Sequence, residues 1–215
     1  MLDTQFLRPV GDVGNPDSWP FRVIIERASG AFAQPVVSGT YAGIESFIKA
    51  GQRLVERGAC AVTTTCGFLV RHQRALDAAL AVPVRASSLL SYGALQQKLG
   101  ESRRVAILTI DYAALDALVR KAAGIPDDAL IFDLPVESHF RRAILNAEVP
   151  LDPQTAEDEW VRLARSVHKA HPNIGQWLFE CANMPPYSGA VADATGLAVY
   201  DALTMGNALY RSVQP

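Results

Sequence analysis

Two thiols stand where an apolar run gives way to a turn. Cys66 closes the first run in ACAVTTTCGFL (Ala59–Leu69), and Cys181 closes the second in IGQWLFECANMPPY (Ile174–Tyr187). A thiol acts as base or nucleophile only as thiolate, and a helix N-terminus beside it favours that form through backbone N–H groups and the helix dipole. Cys66 precedes Gly67 and a helical pattern, with hydroxyls at Thr63, Thr64 and Thr65, and Gly67 lets a ligand approach the backbone. Cys181 lies between Glu180 and Ala182–Asn183, ahead of Pro185–Pro186, which can neither continue a strand nor sit inside a helix. Both positions also suit a packed, chemically inert cysteine, a residue type that is often buried. The third thiol, Cys60, lies among Ala59, Ala61 and Val62 and reads as strand packing.

The elements that must position these thiols alternate. The sequence predicts strands at Phe21–Glu26, Ala59–Thr64, Val82–Ala86, Arg104–Ile110, Ala129–Leu134, Ile174–Glu180 and Leu197–Tyr200. It predicts helices at Ile44–Glu56, Phe68–Ala81, Ser88–Leu99, Tyr112–Ala123, Glu137–Asn146, Pro153–Lys169, Ser188–Thr195 and Ala202–Arg211. Ile44, Phe47, Ile48, Leu54 and Val55 make one apolar helix face. Gly124 and Pro126 stop the helix before them, while Asp152 and Pro153 start the longest one. Strands alternating with helices predict an α/β fold with mainly parallel sheets. The pattern runs twice, with one cysteine-ended strand in each half. We expect two pseudo-symmetric flavodoxin-like lobes, each a parallel sheet flanked by helices. The first would span residues 1–92, completed by 197–215, and the second 93–196. Ligands of parallel sheets bind beyond the carboxyl ends of the strands, which places the expected site in the cleft between lobes.

Composition narrows the function. The 215 residues carry 20 Lys and Arg against 22 Asp and Glu, a net charge of −2 that argues against a nucleic-acid or anionic-membrane partner. No segment reaches the roughly 20 apolar residues of a bilayer span, and the start MLDTQFLRPVGDVG lacks a targeting pattern, so a cytoplasmic location is expected. Three cysteines argue for reduced thiols rather than a disulfide framework. No dinucleotide or triphosphate motif and no zinc spacing is present, so neither cofactor nor metal is expected; His168 and His171 sit at a helix end instead.

The Thr-rich strand end with its Cys-Gly turn, the second strand ending in ECANMPPY, and the early segment GDVGNPDSWPF (Gly11–Phe21) together resemble the aspartate/glutamate/hydantoin racemase superfamily. That resemblance implies a cofactor-independent, two-base mechanism. Cys66 and Cys181 would face opposite sides of one carbon next to a carboxylate, one removing a proton and the other delivering one. It implies a racemase or epimerase of a small amino acid or related carboxylate, and a homodimer. Hydroxyls and N–H groups at Thr64, Thr65, Gly67, Ala182 and Asn183 would meet the developing charge. By the same resemblance Asp12 poises a cysteine, Asn15 and Thr109 bind substrate, and Glu137 orients the second site or simply starts a helix. Two features depart from the family. Only MLDTQF precedes the first loop, leaving its usual opening strand short or missing, and Ala182–Asn183 replaces the frequent Thr-His after the second cysteine. His139 is the remaining histidine candidate beside that thiol. Alternatives are the maleate isomerases and arylmalonate decarboxylases of the same superfamily, or a small-acid binding protein without turnover.

Overall fold

The computed structural model describes residues 1–4, 6–41 and 43–214. Among these, two parallel sheets form the frame. The smaller pairs β1 (Val62–Thr63) with β2 (Val84–Arg85). The larger contains β3 (Arg104–Thr109), β4 (Leu130–Asp133), β5 (Ile174–Phe179) and β6 (Val199–Tyr200) in the order β4-β3-β5-β6. β3 is central, with Ile107 opposite Ile131 on one side and Leu178 on the other. Helices cover both faces of such a sheet, which explains the unbroken apolar run from Val105 to Leu108, all fully buried. The fold class is therefore the α/β arrangement of parallel sheets and flanking helices that the alternation predicts.

Several boundaries differ for identifiable reasons. Phe21–Glu26 forms no strand. Among the described residues, the backbone of Arg22–Ile25 takes no backbone partner, and a cavity of about 280 Å³ lined by Val23, Ile25, Val62 and Tyr210 separates it from β1. A strand without a neighbour has no ladder to join. The helix expected from Tyr112 starts at Ala117, because the Asp116 side chain accepts from Val119 N–H and caps it there. The expected helix Phe68–Ala81 begins as a 3-10 turn over Gly67–His72, which continues into Gln73–Ala79. β6 pairs with β5, so the segment expected to complete the first lobe gives its strand to the larger sheet. Cys60 lies outside β1 and is exposed rather than packed.

The loop after β5 is fixed by aromatic packing. Phe140 meets Trp160 and Tyr187 edge-on at 5.2 and 5.8 Å, and Trp160 lies 6.4 Å from Phe179. This cluster ties the end of β5 and the Pro185–Tyr187 turn to the helices Pro153–Ala170 and His139–Ile144. The two sheets are joined by a buried bond from the Ser88 hydroxyl to the Phe179 carbonyl at 2.6 Å.

The burial pattern predicts that Ile107→Ala lowers stability by about 3 kcal/mol in denaturant titration, the usual range for a truncated core isoleucine. Leu118→Ala, on an exposed helix face, should stay within about 0.5 kcal/mol.

Candidate active site

Cys66 is held from behind. The Thr64 hydroxyl donates to the Ala86 carbonyl at 2.7 Å, just past β2, and accepts from Cys66 N–H at 3.3 Å. This anchors the chain as it leaves β1 and turns Cys66 into the cap of the 3-10 segment Gly67–His72. The N–H groups of Phe68 and Leu69 favour the Cys66 thiolate, as expected beside a helix start. Burial nonetheless dominates and, with an ionised Glu180 adding to it, pushes the thiol up to about 12. The resting group is a thiol.

Cys181 follows β5, and burial raises it well above the usual thiol range, with Glu180 again adding to the effect. Its Sγ donates to Asn183 Oδ1 at 3.5 Å. Asn183 Nδ2 donates to Asp12 Oδ2 at 2.6 Å, and Asp12 Oδ1 is paired with Arg8 at 2.8 Å. Arg8 also donates to Thr4 and covers the Phe6 ring at 4.5 Å. A continuous polar chain thus runs from Arg8 to the Cys181 sulfur, and every buried charge in it has a partner.

Both thiols line one cavity. Thr65, Gly67, Glu180 and Asn183 complete its polar wall, and Leu2, Phe6, Val37, Phe68, Ile110 and Leu145 its apolar wall. Its volume is about 20 Å³, room for little more than one water, so a ligand must part the apolar wall. Glu180 shapes the space from the β5 side. A Cβ at position 67 would clash with both the carbonyl oxygen and Oε1 of Glu180, so only glycine lets the two strand ends approach this closely. Thr109 is fully buried behind the cavity and donates from its hydroxyl to Glu180 Oε2 at 2.9 Å. Burial raises the Glu180 carboxyl to about 8, against the opposing bonds from Thr109 and Ile110 N–H.

The remaining expected site residues sit elsewhere. Ala182 is buried beside Val13, whose N–H donates to its carbonyl at 3.3 Å. Asn15 caps the short turn Pro16–Ser18 and donates to the Arg8 carbonyl, away from the cavity. Glu137 is exposed; Ser138 caps the following helix, and Glu159 supplies the carboxylate that accepts from His139 and Phe140 N–H. His139 accepts from Asp152 N–H rather than approaching Cys181. Glu180 and Arg8 are the members that sequence reasoning passed over. The signal for Glu180 was present: a single carboxylate ends an otherwise apolar strand one residue before a cysteine.

No protein-family model matches the chain. Over 220 residues it is 31% identical to a dimethylsulfoniopropionate lyase of Durusdinium sp. clade D, covering 98% of this chain and 72% of that protein. Dimethylsulfoniopropionate lyase 6 of Emiliania huxleyi is 29% identical over 99% of this chain, which spans only 58% of that relative's length. Among solved structures, a sulfate-associated variant of arylmalonate decarboxylase superposes with a TM-score of 0.58 at 20% identity, covering 87% of this chain and 81% of that one. An aspartate racemase homologue from Pyrococcus horikoshii gives 0.55 at 14%, covering 90% and 85%. These likenesses show the fold of the aspartate/glutamate racemase superfamily, as the resemblance implied. The racemase or epimerase activity, and with it the isomerase class, is overturned, because the sequence relatives are lyases. Among the described residues no helix is long and apolar enough to cross a membrane.

The geometry predicts two outcomes. Iodoacetamide at neutral pH should alkylate exposed Cys60 at least about tenfold faster than Cys66 and Cys181, since the thiolate is the reactive form; peptide mass spectrometry reads the order. Gly67→Ala should cost about 1–3 kcal/mol by overpacking, and Gly67→Ala/Glu180→Ala should not recover it, because the Glu180 carbonyl still blocks the Cβ.

Proposed function

The chain belongs to the dimethylsulfoniopropionate lyase family, and from that premise we propose that it eliminates dimethyl sulfide from a propionate bearing a dimethylsulfonio group, at the cavity between Cys66 and Cys181. The observation that carries the reading is that two buried thiols and a carboxyl line one small space. Such a space suits removal of a proton from the carbon next to a carboxylate. The lyase relatives support elimination, rather than reprotonation, as the fate of the resulting electron pair.

The step balances as an elimination. A cysteine thiolate takes the proton from the carbon next to the carboxylate and becomes a thiol. The released electron pair forms the carbon–carbon double bond. The neighbouring carbon–sulfur bond breaks, and its electron pair leaves with neutral dimethyl sulfide. The other product is acrylate, and the enzyme gains the proton that it later gives to solvent.

Cys66 is the better base of the two. The N–H groups of Phe68 and Leu69 stabilise its thiolate, against the single Asn183 N–H for Cys181, whose sulfur is also engaged as a donor to the Asn183 side chain. A sulfonium cation in the cavity lowers the thiol's proton affinity further, since an opposite charge nearby favours the charged form. The substrate therefore helps to ionise the base that attacks it. Cys181 acts as the neutral wall opposite, oriented through Asn183 and Asp12.

Headspace gas chromatography of released dimethyl sulfide is the test. Cys66→Ser should lower the rate by about 10³-fold, within the range of a lost general base, and Cys181→Ser by clearly less. Wild-type release from Cys66→Ser would refute the assignment of the base.

A further inference from the structure

Resting on the lyase reading for its substrate class, we propose that Glu180 is a further catalytic residue: a neutral carboxylic acid whose Oε1 donates a hydrogen bond to the carboxylate of the bound substrate. Three observations carry this. First, its two oxygens are unequal. Oε2 faces two donors, the Thr109 hydroxyl at 2.9 Å and Ile110 N–H at 3.4 Å, whereas Oε1 is buried with no partner. A carboxyl group with one oxygen between donors and the other free holds its proton on the free oxygen. Second, Oε1 packs against Gly67, on the wall that the two thiols share. Third, the side-chain nitrogen donors beside the site are committed: Asn183 Nδ2 to Asp12, and Arg8 to Asp12 and Thr4.

The surrounding charges agree with a neutral acid. Asp111, which faces Glu180, disfavours its ionisation and is itself paired with Arg141 at 3.4 Å. Asp12 is neutralised by Arg8, and both thiols are protonated at rest. Arg71, within the 3-10 segment, and the Met1 ammonium are cations whose fields reach the Cys66 thiol. A substrate carboxylate therefore meets an acid O–H rather than an ion pair. As the proton leaves the adjacent carbon, negative charge grows on the carboxylate oxygens, and the O–H bond to them strengthens. Burial holds the acid neutral up to about pH 8. Above that, Glu180 ionises and repels the same carboxylate.

Propionate, which has the carboxylate but no leaving group, tests this without turnover. Calorimetric titration of the wild-type protein from pH 6 to 10 should show constant affinity up to about pH 8, then a fall approaching tenfold per pH unit. The Cys66 thiol titrates above this window, at about 12. Glu180→Gln keeps a donor in place and should bind without the break. Thr109→Val removes a bond that favours the ionised form and should move the break upward. Flat wild-type affinity, no measurable propionate binding, or a break that persists in Glu180→Gln would each overturn the proposal. Should Glu180→Gln not fold, the wild-type profile and Thr109→Val decide. Dimethyl sulfide release with flat propionate binding sinks the role of Glu180 alone; a break near pH 8 without release sinks the lyase reading and leaves the acid in place.

Discussion

The contact between Gly67 and Glu180 governs the site. The residue after the first thiol lies directly against the residue before the second, with no space for a side chain at position 67. One strand end from each sheet is thereby locked to the other, and Cys66 and Cys181 are brought to the same cavity as a consequence. Ser88, bonded to the Phe179 carbonyl at 2.6 Å, holds the same junction from below. The aromatic cluster of Phe140, Trp160 and Tyr187 keeps the loop after Cys181 from drifting away.

Closeness of this kind has an electrostatic cost that the resting protein meets by staying neutral. Two thiols and a carboxyl share a cavity of about 20 Å³. Ionising any of them there loses water that nothing in the apolar wall replaces. Burial is the leading cause of the upward shift in each of the three groups; an ionised Glu180 adds to it for the two thiols, and Asp111 adds to it for Glu180. The charges that do persist, Arg8 and Asp12, form a pair one residue removed from the sulfur and act on it through the Asn183 amide. The site is therefore poised to acquire charge only when a ligand brings a compensating one.

How much of this can be read from sequence depends on whether the cause is local. The helices Ile44–Glu56 and Ser188–Thr195 and the strand Arg104–Thr109 follow from periodicity and burial, which neighbouring residues specify. The Phe21–Glu26 run has every local mark of a strand, yet pairing is a property of the partner, and among the described residues no strand pairs with it. The same division holds in the site. Cys66, Cys181, Thr65, Gly67 and Asn183 flank the turns and do line the cavity. Asn15 and Glu137 carry suitable groups but spend them on a turn and on solvent. Glu180 escaped because its role arises from Thr109 and Gly67, 71 residues away in the first case, and no spacing rule reports such a distance.

The correction from isomerase to lyase is smaller in chemistry than in name. Racemisation and elimination share their first demand, a base beside a carbon whose proton is acidified by an adjacent carboxylate. The difference lies in the fate of the electron pair. In racemisation it must survive until a proton arrives on the opposite face, so a second, well-placed acid is indispensable. With a sulfonium group on the neighbouring carbon the pair is discharged into a double bond as the sulfide departs, and no second proton is needed. The arrangement here is asymmetric in the way that elimination permits: two backbone N–H groups favour the Cys66 thiolate and one the Cys181 thiolate, and the Cys181 sulfur is also tied as a donor to the Asn183 side chain. A fold built to confront two thiols can thus serve a one-base reaction, and its second thiol is free to hold shape instead of passing protons.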